Sequence, residues 1–263
     1  MVVEARSPII VGRDRELDRI DAAIEEAAQG TPRLILVRGE AGIGKTRLVT
    51  EAASRARASG CALLLGACLD IGDGGLPYLP VAEALRTLAR LDPARLDRAL
   101  GPAREDIAAL VPELGGAGSS GNGSGVPHHE STSIDRARLF ERFIGFLGRL
   151  GEDRPVMAII EDVQWIDRST RDLVTFLVRN VTTEPLVAML TCRTDDLAPG
   201  DPVLAWLAEL SRAPGAVRIR LDRLDLDAVT QQVRAIAGSG LDREAIGRIW
   251  GRSDGNPLFV EEL

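Results

Sequence analysis

The stretch 34–47, LILVRGEAGIGKTR, constrains what this chain can fold into more than any other. Four apolar residues at 34–37 run into Gly39, and from there G-x-x-x-x-G-K-[ST] is met at every defined position, closing on Gly44, Lys45 and Thr46. Leu48, Val49, Ala52, Ala53 and Ala56 then recur at helical spacing, which predicts a helix over 45–57 behind a buried strand. Glycines at 39, 42 and 44 let the backbone turn tightly and bring its N–H groups up to an anion. The helix N-terminus behind them adds a fixed partial positive charge. Ala41, Ile43 and Arg47 belong to the same loop and count with the glycines as nucleotide contacts. In this geometry Lys45 reaches the β/γ-phosphates and the Thr46 hydroxyl ligates Mg²⁺. Lys45 is the only lysine in the chain, arginine serving at every other basic position. A compact point charge is kept where a planar guanidinium fork is not wanted.

The chain has 263 residues, room for one large domain with an appendage or for two small ones. It is 45% apolar and only 3% aromatic, so its core is aliphatic. A net charge of −7 argues against a generic polyanion-binding surface, and nucleic acid is not the first partner to expect. Cys61, Cys68 and Cys192 form no CxxC pair and leave an odd count, which points to a reduced compartment and buried thiols. No apolar run reaches membrane-spanning length, and the N-terminus lacks a signal-peptide core. The expectation is a soluble, cytoplasmic protein with no membrane partner.

Leu17, Ile20, Ile24 and Ala27 mark one face of a helix that Gly30 and Pro32 stop. Residues 61–68 read as a buried strand and 69–80, with Gly72, Gly74, Gly75, Pro77 and Pro80, as a loop. Short helical stretches follow at about 81–91 and 103–111. Residues 115–130 are glycine–serine linker by composition. The adjacent His128 and His129 lack the accompanying Cys/Asp cluster that a metal site needs. Residues 132–150 carry an amphipathic helix closed by Gly151; 155–160 and 186–191 read as buried strands, with a helix at 169–180 between them. A further helix covers 201–211. Residues 217–221, VRIRL, alternate strictly, as an edge strand with one wet face does. Helical signals alone remain at 225–237, 242–252 and from 257 onward. Strands separated by helices mean a parallel α/β sheet with helices on both faces. The division expected is a nucleotide-binding domain over 1–222 and a helical lid over 223–263.

A phosphate-binding loop needs a partner that holds metal and handles water. The apolar strand at 156–160 delivers Glu161 and Asp162 at its C-terminal end, where ligands sit in open α/β sheets. One carboxylate can hold Mg²⁺ while the other orients or deprotonates water. Neighbours on a strand face opposite sides, so the two should not share one task. Arg193 ends the next strand, where a cation can sense a γ-phosphate and stabilise transition-state charge; the plain alternative is a solvated arginine paired with Asp195 or Asp196.

Taken in order, VGRDREL at 11–17, GEAGIGKTRLV at 39–49, VMAIIEDVQWID at 156–167, LTCRTDD at 190–196 and GRSDGNPLFVEEL at 251–263 resemble one family. It is the AAA-type ATPase module of STAND signalling proteins, in the variety found in large LuxR-type transcriptional regulators. The resemblance spans nearly the whole chain. It implies a P-loop NTPase fold with strand order 5-1-4-3-2 and a strand inserted between the P-loop strand and the acidic strand. It also implies that Val11, Gly12 and Arg13 touch the adenine end of the nucleotide and that Gly255-Asn256-Pro257 is the GxP element of a helical lid. Proline also suits the first position of a helix without any such role. Two departures stand out. Glu161 occupies the position where many relatives carry the Mg²⁺-associated aspartate, which leaves base and metal partner open between Glu161 and Asp162. Gln164 stands where histidine is frequent.

The resemblance further implies an ATP/ADP switch, resting with ADP and self-associating with ATP, with slow hydrolysis as the reset. The chain stops inside an apparent helix at 257–263, which predicts a piece of a larger protein. Relatives continue into winged-helix and repeat regions and often a helix-turn-helix, so DNA contact belongs to residues outside this chain. Two other readings fit a phosphate-binding loop. A small-molecule phosphotransferase wants a second pocket with substrate-binding arginines, and residues 115–130 offer no ligands for one. A binding module that uses ATP as structural glue would leave it unhydrolysed.

Overall fold

In a computed structural model, which describes residues 7–72, 76–108, 110–111 and 133–263, the strands predicted from sequence pair into one sheet. They are β1 (Arg33–Gly39), β2 (Ala62–Ala67), β3 (Val156–Glu161), β4 (Leu186–Arg193) and β5 (Ala216–Arg220). The order is β2-β3-β4-β1-β5 and every pairing is parallel. β4 therefore lies between the P-loop strand and the acidic strand, and β5 forms an edge. The linker at 115–130 with His128 and His129, and Gly74 and Gly75 of the loop before the next helix, lie outside the described residues.

The central strands are apolar on both faces because helices cover both. Ile35, Val37, Met157, Ile159, Val187 and Met189 face α1 (Asp14–Ala28) and α2 (Lys45–Ala58). On the other side Leu34, Leu36, Leu190 and Cys192 pack against α7 (Arg168–Asn180) and α8 (Pro202–Leu210). Leu64, Val156 and Leu186 pack toward α3 (Leu79–Leu91), α4 (Pro93–Leu100), α5 (Arg104–Ala108) and α6 (Ser133–Leu150). In β5 only half of this pattern survives: Ile219 is buried, while Arg218 and Arg220 are exposed. Cys61, Cys68 and Cys192 are buried and free, and burial pushes the Cys68 thiol up to about 12 and the Cys192 thiol up to about 11. Such thiols stay protonated and unreactive.

α4 is an element the periodicity reading leaves unassigned. Its signal is local: the Asp92 side chain accepts from Arg95 N–H at the N-cap, and Pro93 takes the first helical position. α9 (Leu226–Ala237), α10 (Arg243–Ser253) and α11 (Pro257–Glu262) follow β5 and gather around Val11, Val229, Val233 and Val260, a small core apart from the sheet. Among the described residues no helix is long and apolar enough to cross a membrane.

The free edge of β2 is closed by α3. Glu83 accepts the Ala67 N–H at 2.8 Å, and a Cβ on Gly66 would lie 1.9 Å from the Pro80 carbonyl oxygen. Only glycine permits that approach. Gly66→Ala is expected to lower stability by about 1–3 kcal/mol, the usual cost of overpacking. A denaturant midpoint unchanged from wild type would contradict this close contact.

Candidate functional site

β1 ends at Gly39 and the chain turns through Glu40–Gly44 into α2. Gly42 and Gly44 have φ of 73° and 98°, and Gly44 is the N-cap of α2. At Gly42 space as well as φ demands glycine, since a Cβ would come within 2.8 Å of Asn256 Oδ1. The loop and the first turn of α2, Ala41 through Arg47, line a cleft of about 550 Å³. Val11, Arg13, Asp162, Arg193 and Pro257 stand on its other walls, so most of the residues singled out by sequence meet in one place. Gly12, Gly39 and Glu161 are not among the lining residues; Glu161 connects to the cleft through a hydrogen bond with Thr46.

Lys45 is buried, and its ammonium donates to Gly39 O at 2.9 Å and Glu40 O at 2.7 Å. Burial and the nearby Arg193 lower its pKa, while Asp162 and Asp195 oppose that shift. Asp195 reaches the loop as well, its Oδ2 accepting the Ala41 N–H at 3.0 Å. Arg193 does not pair with Asp195. Its Nε and Nη2 donate to the two carboxylate oxygens of Asp162 at 3.3 and 3.4 Å, and Nη1 lies 3.7 Å from Asp196. The guanidinium also stacks 4.9 Å from the centre of the Trp165 ring, a cation–π contact. Arg13 is buried with its guanidinium on Ile43 O and Asp222 O, tying the loop to the chain after β5.

The 256–258 turn closes the cleft from the far end of the chain. Asn256 Nδ2 donates to Ala41 O at 3.0 Å and Leu258 N–H to Gly42 O at 3.3 Å. Arg223 bridges Glu40 at 2.9 Å and Asp254. Asn256 caps α11 by accepting from Leu258 N–H, with Pro257 at the first helical position. The helix-starting role of the Gly-Asn-Pro turn and its contact with the loop therefore coexist. Ser7, Ile10, Leu224 and Gln232 also line the cleft without any sequence signal, joined by Leu258 and Glu261 from the 251–263 stretch. They arrive there by tertiary packing, with Gln232 donating to Pro257 O and Ser7 N–H to Glu261.

The loop fits a polyphosphate: backbone N–H groups at a helix N-terminus, one buried ammonium and a cleft long enough to run to Val11. Among the described residues no three His, Cys, Asp or Glu side chains cluster as a metal cage. Thr46 with Glu161 and Asp162 instead fits Mg²⁺, a cation held by few protein oxygens together with phosphate and water. Burial raises the Glu161 pKa above the ordinary carboxylate range, with the Thr46 hydrogen bond opposing it and Asp162 and Glu83 adding to it. A raised folded-state pKa means the folded chain holds the proton more tightly than the unfolded chain. Stability is therefore lost as pH rises from the unfolded value of about 4.3 through the folded one. Glu161→Gln is expected to be more stable than wild type near pH 8, with the margin vanishing near pH 4. Melting curves across that range check it, and a variant less stable at pH 8 would contradict the burial penalty.

An uncharacterized protein of Rhizobium meliloti (strain 1021) is 26% identical over 273 residues, covering 97% of this chain and 24% of that relative. The chain thus spans about a quarter of the curated relative's length. Among solved structures, the fold is similar to a STAND protein with a tetratricopeptide repeat sensor from Pyrococcus horikoshii. There the TM-score is 0.50 and the identity 16%, over 98% of this chain and 30% of that one. It is similar too to the ORC1 protein of Aeropyrum pernix in complex with DNA (TM-score 0.53, 16% identity, 97% of this chain and 59% of that one). AMPPCP-bound DnaA from Aquifex aeolicus is similar at TM-score 0.51 and 13% identity, over 97% of this chain and 61% of that one. At such identities these likenesses speak of fold alone. The family model of the AAA ATPase domain matches residues 9–190, and this chain belongs to that family.

Proposed function

We propose that this chain is an ATP-binding, slowly hydrolysing switch within a larger, cytoplasmic STAND-type regulator of the LuxR variety. The observation that carries the reading is the convergence of residues 41–47, Asp162, Arg193 and Pro257 on one cleft, with the 256–258 turn bonded to the loop itself. Lys45 and the loop amides bind the phosphates, and Val11, Gly12 and Arg13 lie toward the base. Thr46 and one of the pair Glu161 and Asp162 would hold Mg²⁺, which would supply neutralisation of phosphate charge. The carboxylate not engaged by metal orients the attacking water. Arg193, already facing Asp162, takes up charge from the γ-phosphate side.

Residues 1–222 then act as the nucleotide-binding domain and 223–263 as its lid. Because Asn256 and Leu258 bond directly to loop carbonyls, a loop that settles differently around ADP and ATP changes what the lid can grip. ADP holds the closed form, and ATP releases it for self-association. DNA contact belongs to other parts of the larger protein.

Lys45→Ala tests the binding step. Nucleotide at a hundredfold over its Kd stabilises a competent protein by about 2.7 kcal/mol. Wild type should gain this and the variant almost nothing; equal thermal shifts would sink the assignment. Glu161→Gln and Asp162→Asn should keep binding while slowing hydrolysis, and the larger loss identifies the carboxylate acting on water. Chromatography of nucleotide released on denaturation is expected to show mostly ADP. Intact ATP after long incubation with Mg²⁺ would favour a binding module that does not turn over.

A further inference from the structure

Gln164 has no place in the site described so far, yet its side chain is more than nine-tenths buried beside it. It lies in the short 3₁₀ turn Val163–Trp165 that follows β3. Its Nε2 donates to Asp162 Oδ1 at 3.1 Å, and its Oε1 accepts the backbone N–H of Arg193 at 3.0 Å. The amide orientation follows from these partners, since a carboxylate only accepts and a backbone N–H only donates. One neutral side chain thus spans from the end of β3 to the end of β4. It touches the carboxylate of one cleft residue and the main chain of another.

Around it the geometry is tightly determined at the backbone and loose at the charges. Asp162 is held at φ 56°, ψ 48°, a left-handed conformation that non-glycine residues seldom adopt. Its N–H donates to Thr191 Oγ1 at 3.0 Å, a second tie between β3 and β4. The Asp162–Arg193 bonds, at 3.3 and 3.4 Å, are long for a charge-assisted pair. The ion pair alone therefore leaves the carboxylate free to pivot. The shorter Gln164 bond to Oδ1 sets which way it faces. Trp165, the next residue in the turn, supports the Arg193 guanidinium from its face.

We infer that Gln164 is a positioning residue for hydrolysis, fixing the Asp162 carboxylate and Arg193 relative to each other while touching neither nucleotide nor water. The inference rests on the ATPase reading above. Its test therefore needs one measurement that requires no turnover. Gln164→Met keeps the side-chain volume and removes both hydrogen bonds. It should lower kcat roughly 10- to 100-fold, the scale usual for outer residues that orient a reacting group. The nucleotide Kd should stay within about threefold and the melting temperature near wild type, since the phosphate-binding loop is untouched. Gln164→Glu keeps the acceptor for Arg193 N–H but sets a carboxylate against Asp162, and should lose kcat without recovering the Met variant's loss.

The second measurement reads Trp165 fluorescence in a Trp206→Phe, Trp250→Phe background, with and without Gln164→Met and with no nucleotide added. If Gln164 sets Arg193, the emission of Trp165 shifts when the bond is removed. An unchanged kcat with unchanged Trp165 emission would overturn the inference. So would a fall in kcat matched by equal losses in Kd and melting temperature, which would make Gln164 a packing residue only. If wild type binds nucleotide but turns none over, the hydrolysis reading fails by itself. Gln164 then stands or falls as the link between Asp162 and Arg193 on the Trp165 shift alone.

Discussion

Parallel, in-register pairing of β1, β4 and β3 is the constraint on which the rest depends. Gly39 lies opposite Arg193, and Ile160 opposite Leu190, so three strands release their chains at one edge of the sheet. The glycine loop precedes the acidic pair by more than a hundred residues and the arginine follows that pair by 31, yet all three emerge side by side. A slip of one residue would turn every buried side chain of a strand to the wrong face. The apolar cores on both faces therefore lock the same register that aligns the polar ends. Stability and site geometry share one cause.

The polar groups at that edge are satisfied by one another. Lys45 holds two carbonyls, Asp195 holds the Ala41 N–H, and Asp162 holds Arg193. Half-buried charges without partners are costly. Each of these partners is one that a phosphate oxygen or a cation can replace with little net change in hydrogen bonding. That is the character of a site able to exchange ligands rather than one committed to a rigid fold role. Arg13 is the contrast: buried, on two backbone carbonyls, it braces the loop against the segment after β5.

The helices after β5 meet the sheet domain mainly through the loop itself. Asn256, Leu258 and Arg223 bond to Ala41, Gly42 and Glu40, more than 180 residues away in the chain. Their own small core, around Val229 and Val233, borrows Val11 from the N-terminal segment. Two ends of the chain thus converge on the phosphate-binding loop.

Much of this was legible in the residues. The spacing of Gly39, Gly44, Lys45 and Thr46 carries a local mechanism, and the apolar runs at 34–37 and 156–160 announce buried strands because both faces must be covered. Strict alternation in Arg218-Ile219-Arg220 placed β5 at an edge, since in a parallel sheet with helices on both faces the central strands are covered on both sides. Asp92 and Pro93 carried a helix start that hydrophobic spacing passes over in so short an element. Which partners the charged groups would choose was not legible. Arg193 had Asp195 and Asp196 close in sequence; it keeps Asp196 at 3.7 Å but gives its hydrogen bonds to Asp162, which strand register brings beside it. Gln164 and Thr191 lie in the stretches that carry the family resemblance, but their roles were not legible there, since these are hydrogen bonds across strands whose adjacency exists only once the sheet has formed. Local chemistry and periodicity, written in single residues and short spacings, determined the elements and the phosphate-binding loop. The tertiary structure decided the pairings, because hydrogen bonds reach about 3 Å and only folding brings distant residues that close.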